Sequence, residues 1–292
     1  MNKAGWKFCV IGDPISHSLS PLMHRCFLDK FGIDGSYEAQ RISAEELREA
    51  LRRLVDSGIQ GINVTTPHKH AIVPYMDQLT PEAQAIGSVN TVKVASERLI
   101  GHNTDAIGFE DSLRLRGYSV AGKRVVLFGT GGAARAVMIA LIRGQCREIA
   151  VFGRNRDKAA LLVQEFLPRA GNTTLIALDL SDQRALKQAI SVSQLVVNAT
   201  TVGMGSSQDQ SILPDTVELH ADLFVYDLIY RPYRTRLIQQ AERYGLSWMN
   251  GLEMLILQGI ASLRFWTNLP WVMDESSFGE VKNLLRREIC QE

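Results

Sequence analysis

Charge of one sign is what this sequence most lacks. Lys and Arg total 32 against 31 Asp and Glu, a net charge of +1. No global field is therefore available to hold nucleic acid or an anionic membrane surface. Cysteine is scarce too: the four residues Cys9, Cys26, Cys146 and Cys290 are scattered, with no CxxC pair. That excludes a disulfide scaffold and points to a reduced, cytoplasmic protein. No apolar run approaches the roughly 20 residues that span a bilayer. The opening residues carry Lys3 but no apolar stretch, so neither a membrane protein nor a standard secretion signal is expected. What is present is ordinary core-forming material. Hydrophobic residues make up 46% and charged residues 22% of 292 residues. At roughly 150 residues per domain, this is about two domains.

Short apolar runs alternate with helical patterns, the signature of an α/β protein. Phe8–Ile11 reads as a first buried strand, stopped by Gly12-Asp13-Pro14. Ser43-Ala44-Glu45-Glu46 has the form of a capping box, and behind it Leu47, Ala50, Leu51, Leu54 and Val55 fall at helical spacing. Strands are expected at Gly61–Val64 and Val89–Val92. A helix from about Asp105 leads into a second unit with strands at Arg124–Phe128, Glu148–Phe152, Thr174–Leu178, Leu195–Asn198 and Phe224–Leu228. Two closing helices, Leu252–Trp266 and Ser276–Ile289, fit poorly as a further βα repeat and are expected to return to the first domain. No internal repeat is visible.

Gly129-Thr130-Gly131-Gly132-Ala133-Ala134 lies directly between a strand and a helix, the dinucleotide-binding arrangement. Gly129 allows the tight turn, Gly131 lets backbone approach a pyrophosphate, and Ala134 is small enough for helix to sit on strand. The helix N-terminus presents free amides to the phosphates. Glycine turns also occur for packing alone, so the next strand end matters. There Gly153-Arg154-Asn155-Arg156-Asp157-Lys158 puts three cations within five residues. Arg154 suits a 2′-phosphate, because its planar fork holds phosphate oxygens bidentately and stacks on adenine. The plainer reading is a solvated charged turn, and Asp157 keeps an NAD site open. NADP is favoured over NAD.

In the first domain, Ser20 and Pro21 could simply cap and start a helix, which leaves Ser18 unexplained. Asn63-Val64-Thr65-Thr66-Pro67-His68-Lys69 places polar residues at a strand's carboxyl end, where α/β proteins build ligand sites. His68 and His70 lack an obvious third partner, so no metal is expected.

These residues carry a family resemblance. Pro14–Pro21, Asn63–Lys69, Gly87–Thr91, Asn103-Thr104-Asp105, Asn198-Ala199-Thr200, Tyr230-Arg231-Pro232 and Gly251–Leu255 with Gln258 resemble, in order, the shikimate dehydrogenase family. The likeness runs from about residue 8 to residue 266. It implies an α/β enzyme with an N-terminal α/β substrate-binding domain (1–105), a Rossmann-type NADP-binding domain (106–250) and C-terminal helices (251–292) packing back on the first. It implies reduction of 3-dehydroshikimate to shikimate with NADPH in aromatic amino-acid biosynthesis, in a cleft between the domains. Lys69 and Asp105 would be the catalytic pair. Ser18 and Ser20 would hold the substrate carboxylate, and Thr65, Asn90, Asp105 and Gln258 the ring hydroxyls, with Tyr230 nearby. Gly129, Thr130, Gly131, Gly132, Ala133, Gly153, Arg154, Asn155, Arg156, Lys158, Leu228 and Gly251 would line the cofactor.

The sequence also departs from the family pattern. Thr66 stands in place of an apolar residue, Ser88 in place of Ala, and Ala106 in place of Gly. Gly153 and Asn155 flank Arg154 where the family often shows Asn and Thr, which bears on the phosphate clamp.

The residue types suit this chemistry. Hydride comes from the cofactor, so the protein must orient the ketone and supply a proton. The ammonium of Lys69 can polarise the carbonyl and then donate, and the Asp105 carboxylate can position it. Two alternatives remain: a quinate/shikimate dehydrogenase using NAD or both cofactors, and a non-catalytic shikimate-binding relative. Beyond the small-molecule substrate no partner is called for, although a homodimer is allowed.

Overall fold

The computed structural model describes residues 5–291, so Lys3 and its immediate neighbours lie outside the described residues. The chain divides into two compact units, Met1–Gly108 with Leu255–Leu285 and Phe109–Met254 with Arg286–Glu292.

The first unit carries β1 (Trp6–Gly12), α1 (Ser20–Lys30), β2 (Gly35–Arg41), α2 (Leu47–Asp56), β3 (Gly61–Val64) and α3 (His68–Ala71). It continues with β4 (Gln78–Leu79), α4 (Pro81–Ile86), β5 (Thr91–Ala95), β6 (Arg98–His102) and the start of α5 (Asp105–Leu115). The six strands form one mixed sheet in the order β2-β1-β3-β5-β6-β4. β1 runs parallel to both β2 and β3, whereas β5 is antiparallel to β3 and β6. Leu47, Ala50, Leu51 and Leu54 of α2 pack with Cys9, Ile62 and Val92 of the sheet, as their helical spacing requires.

Two local expectations are corrected here. Helix α2 starts at Leu47, later than the capping box would place it. Glu46 Oε2 accepts from the Ser43 amide (3.2 Å), but the Ser43 hydroxyl donates to the same oxygen (2.8 Å) and caps no helix amide. The strand expected at Val89–Val92 is β5, which begins at Thr91, because Asn90 turns its side chain into a buried polar network.

The second unit holds β7 (Arg124–Phe128), α6 (Gly132–Arg143), β8 (Glu148–Gly153), α7 (Arg156–Phe166), β9 (Thr174–Asp179) and α8 (Gln183–Val192). β10 (Leu195–Asn198), β11 (Phe224–Asp227), α9 (Arg236–Arg243) and β12 (Trp248–Asn250) complete it. All six strands are parallel, in the order β12-β11-β10-β7-β8-β9. Taken from the other edge this is the doubly wound order, whose direction reverses between β7 and β10. Ligands bind at that reversal, outside the strands' carboxyl ends. Apolar runs such as Val125–Phe128 and Leu195–Val197 are buried throughout, because helices cover both faces of a parallel sheet.

Two further helices, α10 (Leu252–Thr267) and α11 (Glu275–Cys290), close the chain. Within the first unit, Trp266 of α10 stacks on Phe8 at 4.7 Å and donates its indole N–H to the Val92 carbonyl. All four cysteines are free thiols, and burial pushes Cys9 up to about 12 and Cys146 up to about 11. Neither is a thiolate near neutrality. Among the described residues no helix is long and apolar enough to cross a membrane.

Candidate active site

In the first unit the polar groups converge on Asp105, the first residue of α5. Its Oδ2 accepts from Lys69 Nζ at 2.6 Å and its Oδ1 from Asn90 Nδ2 at 2.8 Å. The backbone amide of Asp105 donates to Asn103 Oδ1, and Asn103 Nδ2 in turn donates to the carbonyl and hydroxyl oxygens of Ser88. This explains one departure from the family pattern: the Ser88 hydroxyl is a fully buried acceptor that helps fix the Asn103–Asp105 turn. Thr66 is exposed and Ala106 fully buried, so a polar side chain is tolerated at the first and a small one fits the second.

Lys69 lies on the short helix α3, directly after β3, and its carbonyl accepts from Val89 N. The Lys69 side chain is 21% exposed and that of Asp105 is 7% exposed. An ammonium has three protons, and with one spent on Asp105 two remain for a ligand oxygen. Gln258 of α10 joins the same group: its Oε1 accepts from Thr104 Oγ1 (3.3 Å) and lies 3.5 Å from Asn90 Nδ2. Lys69, Asp105, Asn90 and Gln258 are therefore one hydrogen-bonded set.

The other expected residues stand differently. Ser20 does not cap α1. It is the first helical residue, and its amide donates to Ser18 Oγ at 3.3 Å, so the two serines are joined to each other. Thr65 directly follows β3, with its amide on the Ile11 carbonyl. A side chain at Gly12 would stand 2.5 Å from the Thr65 methyl, so glycine is what admits Thr65 there. Tyr230 belongs to the second unit. The neighbouring histidines do separate things: buried His68 meets the Ile42 carbonyl through Nε2, and exposed His70 meets the Gly87 carbonyl. Among the described residues no three His, Cys, Asp or Glu side chains gather to hold a metal.

In the second unit the glycine turn sits at the β7 end of the sheet's reversal. Gly129 has φ +116°, and a Cβ there would also stand 2.9 Å from the Ala199 carbonyl, so both conformation and space demand glycine. Nothing lies within 4 Å of a Cβ built at Gly131. No side chain caps the α6 N-terminus, as a pyrophosphate site needs. Ala134 is fully buried. At the end of β8, Arg154, Arg156 and Lys158 are exposed, while Asn155 caps α7 by accepting from the Lys158 amide at 3.0 Å. These features fit a phosphorylated dinucleotide. Leu228 and Gly251 meet across the neighbouring strand ends, where a Cβ on Gly251 would collide with the Leu228 carbonyl at 1.9 Å.

One residue that sequence reasoning missed organises this end. Asp227, fully buried, accepts from Thr235 Oγ1 (2.6 Å), Asn198 Nδ2 (3.0 Å) and Ile229 N (3.1 Å). It ties Asn198 to Ile229 and Thr235, the residues on either side of the Tyr230–Pro232 block. Burial raises its pKa to about 6, against the pull of those three donors. A cavity of about 420 Å³ in the same unit, lined by Leu113, Tyr118, Val120 and Arg143 among others, contains none of these residues.

Comparison with known proteins agrees with the geometry. Residues 10–92 match the family described as shikimate dehydrogenase substrate binding domain, and residues 113–214 match shikimate / quinate 5-dehydrogenase. The chain is 38% identical over 261 residues to the shikimate dehydrogenase (NADP(+)) of Geobacter metallireducens, covering 89% of this chain and 90% of that one. The shikimate 5-dehydrogenase of Thermus thermophilus, solved with NADP(H) and shikimate, aligns with a TM-score of 0.83 and 35% identity over 96% of this chain and 99% of that one. The enzyme from Listeria monocytogenes, solved with shikimate and NAD, gives a TM-score of 0.84 and 32% identity over 98% of each chain.

Proposed function

Because the chain belongs to the shikimate dehydrogenase family, we propose that it catalyses the reversible NADPH-dependent reduction of 3-dehydroshikimate to shikimate, a step of aromatic amino-acid biosynthesis. The observation that carries this reading is the Lys69–Asp105 pair at 2.6 Å, locked from behind by Asn90 and Asn103. It is a proton donor with a fixed partner, placed at a strand's carboxyl end.

The cofactor, held by the Gly129–Ala133 turn, Gly153–Lys158, Leu228 and Gly251, supplies or takes the hydride when bound. The rest falls to this chain's side chains. Lys69 donates a hydrogen bond to the ketone oxygen, draws its electrons, and passes a proton to the alkoxide as the C–H bond forms. In the oxidation direction the same nitrogen takes that proton back. Asp105 holds the ammonium in place and accepts from the same hydroxyl. Asn90, Thr65 and Gln258 meet the ring hydroxyls, and the Ser18 and Ser20 hydroxyls meet the carboxylate, with Tyr230 completing the substrate set. Arg154, with Arg156 and Lys158 beside it, meets the 2′-phosphate. This supports NADP over NAD, and the NADP-named relatives point the same way.

Isotopic labelling of the reacting carbon provides the test. Shikimate deuterated at the carbinol carbon that becomes the ketone is incubated with NADP⁺ and the protein. The expected products are 3-dehydroshikimate and NADPH carrying the deuterium. Turnover without deuterium in the cofactor would reject hydride transfer from that carbon, and absence of turnover with measurable binding would favour a non-catalytic role.

A further inference from the structure

Linked to Asn90 through Thr91 is a buried hydroxyl that the mechanism above does not use. Ser262 is fully buried on α10, one helical turn beyond Gln258 and on the same face. Its Oγ accepts from Asn63 Nδ2 at 3.0 Å and lies 2.8 Å from Thr91 Oγ1, 3.0 Å from the Gln258 carbonyl and 3.2 Å from Thr104 Oγ1. Packing two threonines, an asparagine and a carbonyl around a single hydroxyl has a consequence. A serine has one proton and two lone pairs; Thr91 Oγ1 gives its own proton to Asn90 Oδ1, so in the 2.8 Å contact Ser262 is the donor and Thr91 the acceptor.

That bond leads to the site through Thr91. Thr91 Oγ1 donates to Asn90 Oδ1 at 2.9 Å, and the Thr104 amide donates to the same oxygen at 2.8 Å. A backbone amide only donates, so this face of Asn90 is its oxygen and the NH₂ must face Asp105, which it meets at 2.8 Å. Thr104 Oγ1 gives its proton to Gln258 Oε1 and so stands beside this relay without being part of it. The relay touches no ligand through Ser262 itself.

We propose that Ser262 is a positioning residue for the reaction. Its hydroxyl holds Thr91, and through it Asn90, so that Asn90 keeps Asp105 turned toward Lys69. The proposal rests on the reading of the site given above. Losing one bond within a closed buried network leaves partners unpaired, which corresponds to about a tenfold loss of rate.

The test compares wild type with Ser262→Ala, Thr91→Val and the double variant, using shikimate and NADP⁺, with active protein counted by its folded fraction. Ser262→Ala is expected to lower kcat about tenfold with the KM for NADP⁺ within about twofold of wild type. The double variant is expected to be no worse than the poorer single, since both cut one relay. Ser262→Thr, which restores the hydroxyl, is expected to recover most of the rate. The Asn90 side-chain amide, followed by isotope-labelled NMR, reads the relay without turnover, and its protons should exchange faster in Ser262→Ala.

A Ser262→Ala enzyme with unchanged kcat and an unchanged Asn90 amide would overturn the proposal, as would additive losses in the double variant. A wild-type protein that fails to oxidise shikimate rejects the reaction instead, and the amide signal then still decides whether Ser262 holds Asn90.

Discussion

Lys69 is the residue whose loss should cost most, because its ammonium meets Asp105 at 2.6 Å and still has protons for a ligand oxygen. Lys69→Ala is expected to lower kcat by about 10²–10⁴-fold with a modest change in the KM for shikimate. Near-normal turnover by a folded variant would remove its assigned role. Arg154 is the residue proposed for the cofactor's 2′-phosphate. It is exposed at the end of β8, and Arg154→Ala is expected to weaken NADPH far more than NADH. A hydrogen bond to a charged group is worth roughly 1.5–3 kcal/mol. Fluorescence titration of both cofactors checks it, and equal losses would indicate a structural or adenine-stacking role. Individual polar residues are legible in the sequence wherever a strand end exposes them, as at Thr65 and Lys69. Ser262 and Asp227 are not, since a buried serine on an apolar helix and a carboxylate at a strand end look like neighbours of the core until their partners, distant in sequence, are seen around them.

At the scale of the element, α10 is seated on β3 by an absence of side chain. A Cβ on Gly61 would stand 2.4 Å from the Trp266 ring, a rigid group already stacked on Phe8. Gly61→Ala is expected to destabilise the first unit by about 1–3 kcal/mol through overpacking, read as a lower denaturant midpoint. A midpoint equal to wild type would mean that the ring moves freely. Periodicity reveals elements whose burial pattern is simple. β7, β10 and the apolar stripe of α2 lie where the sequence puts them, because a buried parallel strand and an amphipathic helix are each specified locally. Strand β2 is invisible to such reasoning, since GSYEAQR on a sheet edge buries little beyond Tyr37 and resembles a polar loop. The start of β5 misleads for another reason: Asn90 reads as a strand residue, yet its side chain is claimed by Asp105 and Thr104.

Across the whole molecule, the two units carry buried titratable groups of opposite sign. His24 in the first unit is stacked on Tyr37 at 4.2 Å with neither ring nitrogen hydrogen-bonded, and burial drives its pKa from 6.5 down to about 3, with Asn63 acting the other way. Between those values the unfolded chain binds the proton and the folded one does not. Stability from this group is therefore lost as pH falls below 6.5, by roughly 2 kcal/mol at pH 5. Asp227 in the second unit behaves oppositely. Its folded pKa of about 6 lies above 3.8, so its contribution is present at low pH and lost as pH rises through about 6. Acidification from neutrality toward pH 5 is thus expected to lower hydrogen-exchange protection more in the first unit than in the second. His24→Phe, which keeps the aromatic stack, should flatten that difference. Equal loss in both units, or an unchanged slope in His24→Phe, would contradict the assignment.

The central claim is that one chain joins a shikimate-specific proton donor to a site for NADP. Its most direct test is a set of initial rates with shikimate and quinate, each with NADP⁺ and NAD⁺, at matched protein concentration. The account predicts the highest kcat/KM for shikimate with NADP⁺, a marked fall when NAD⁺ replaces it, and little turnover of quinate. Equal or better rates with quinate or with NAD⁺ would contradict it.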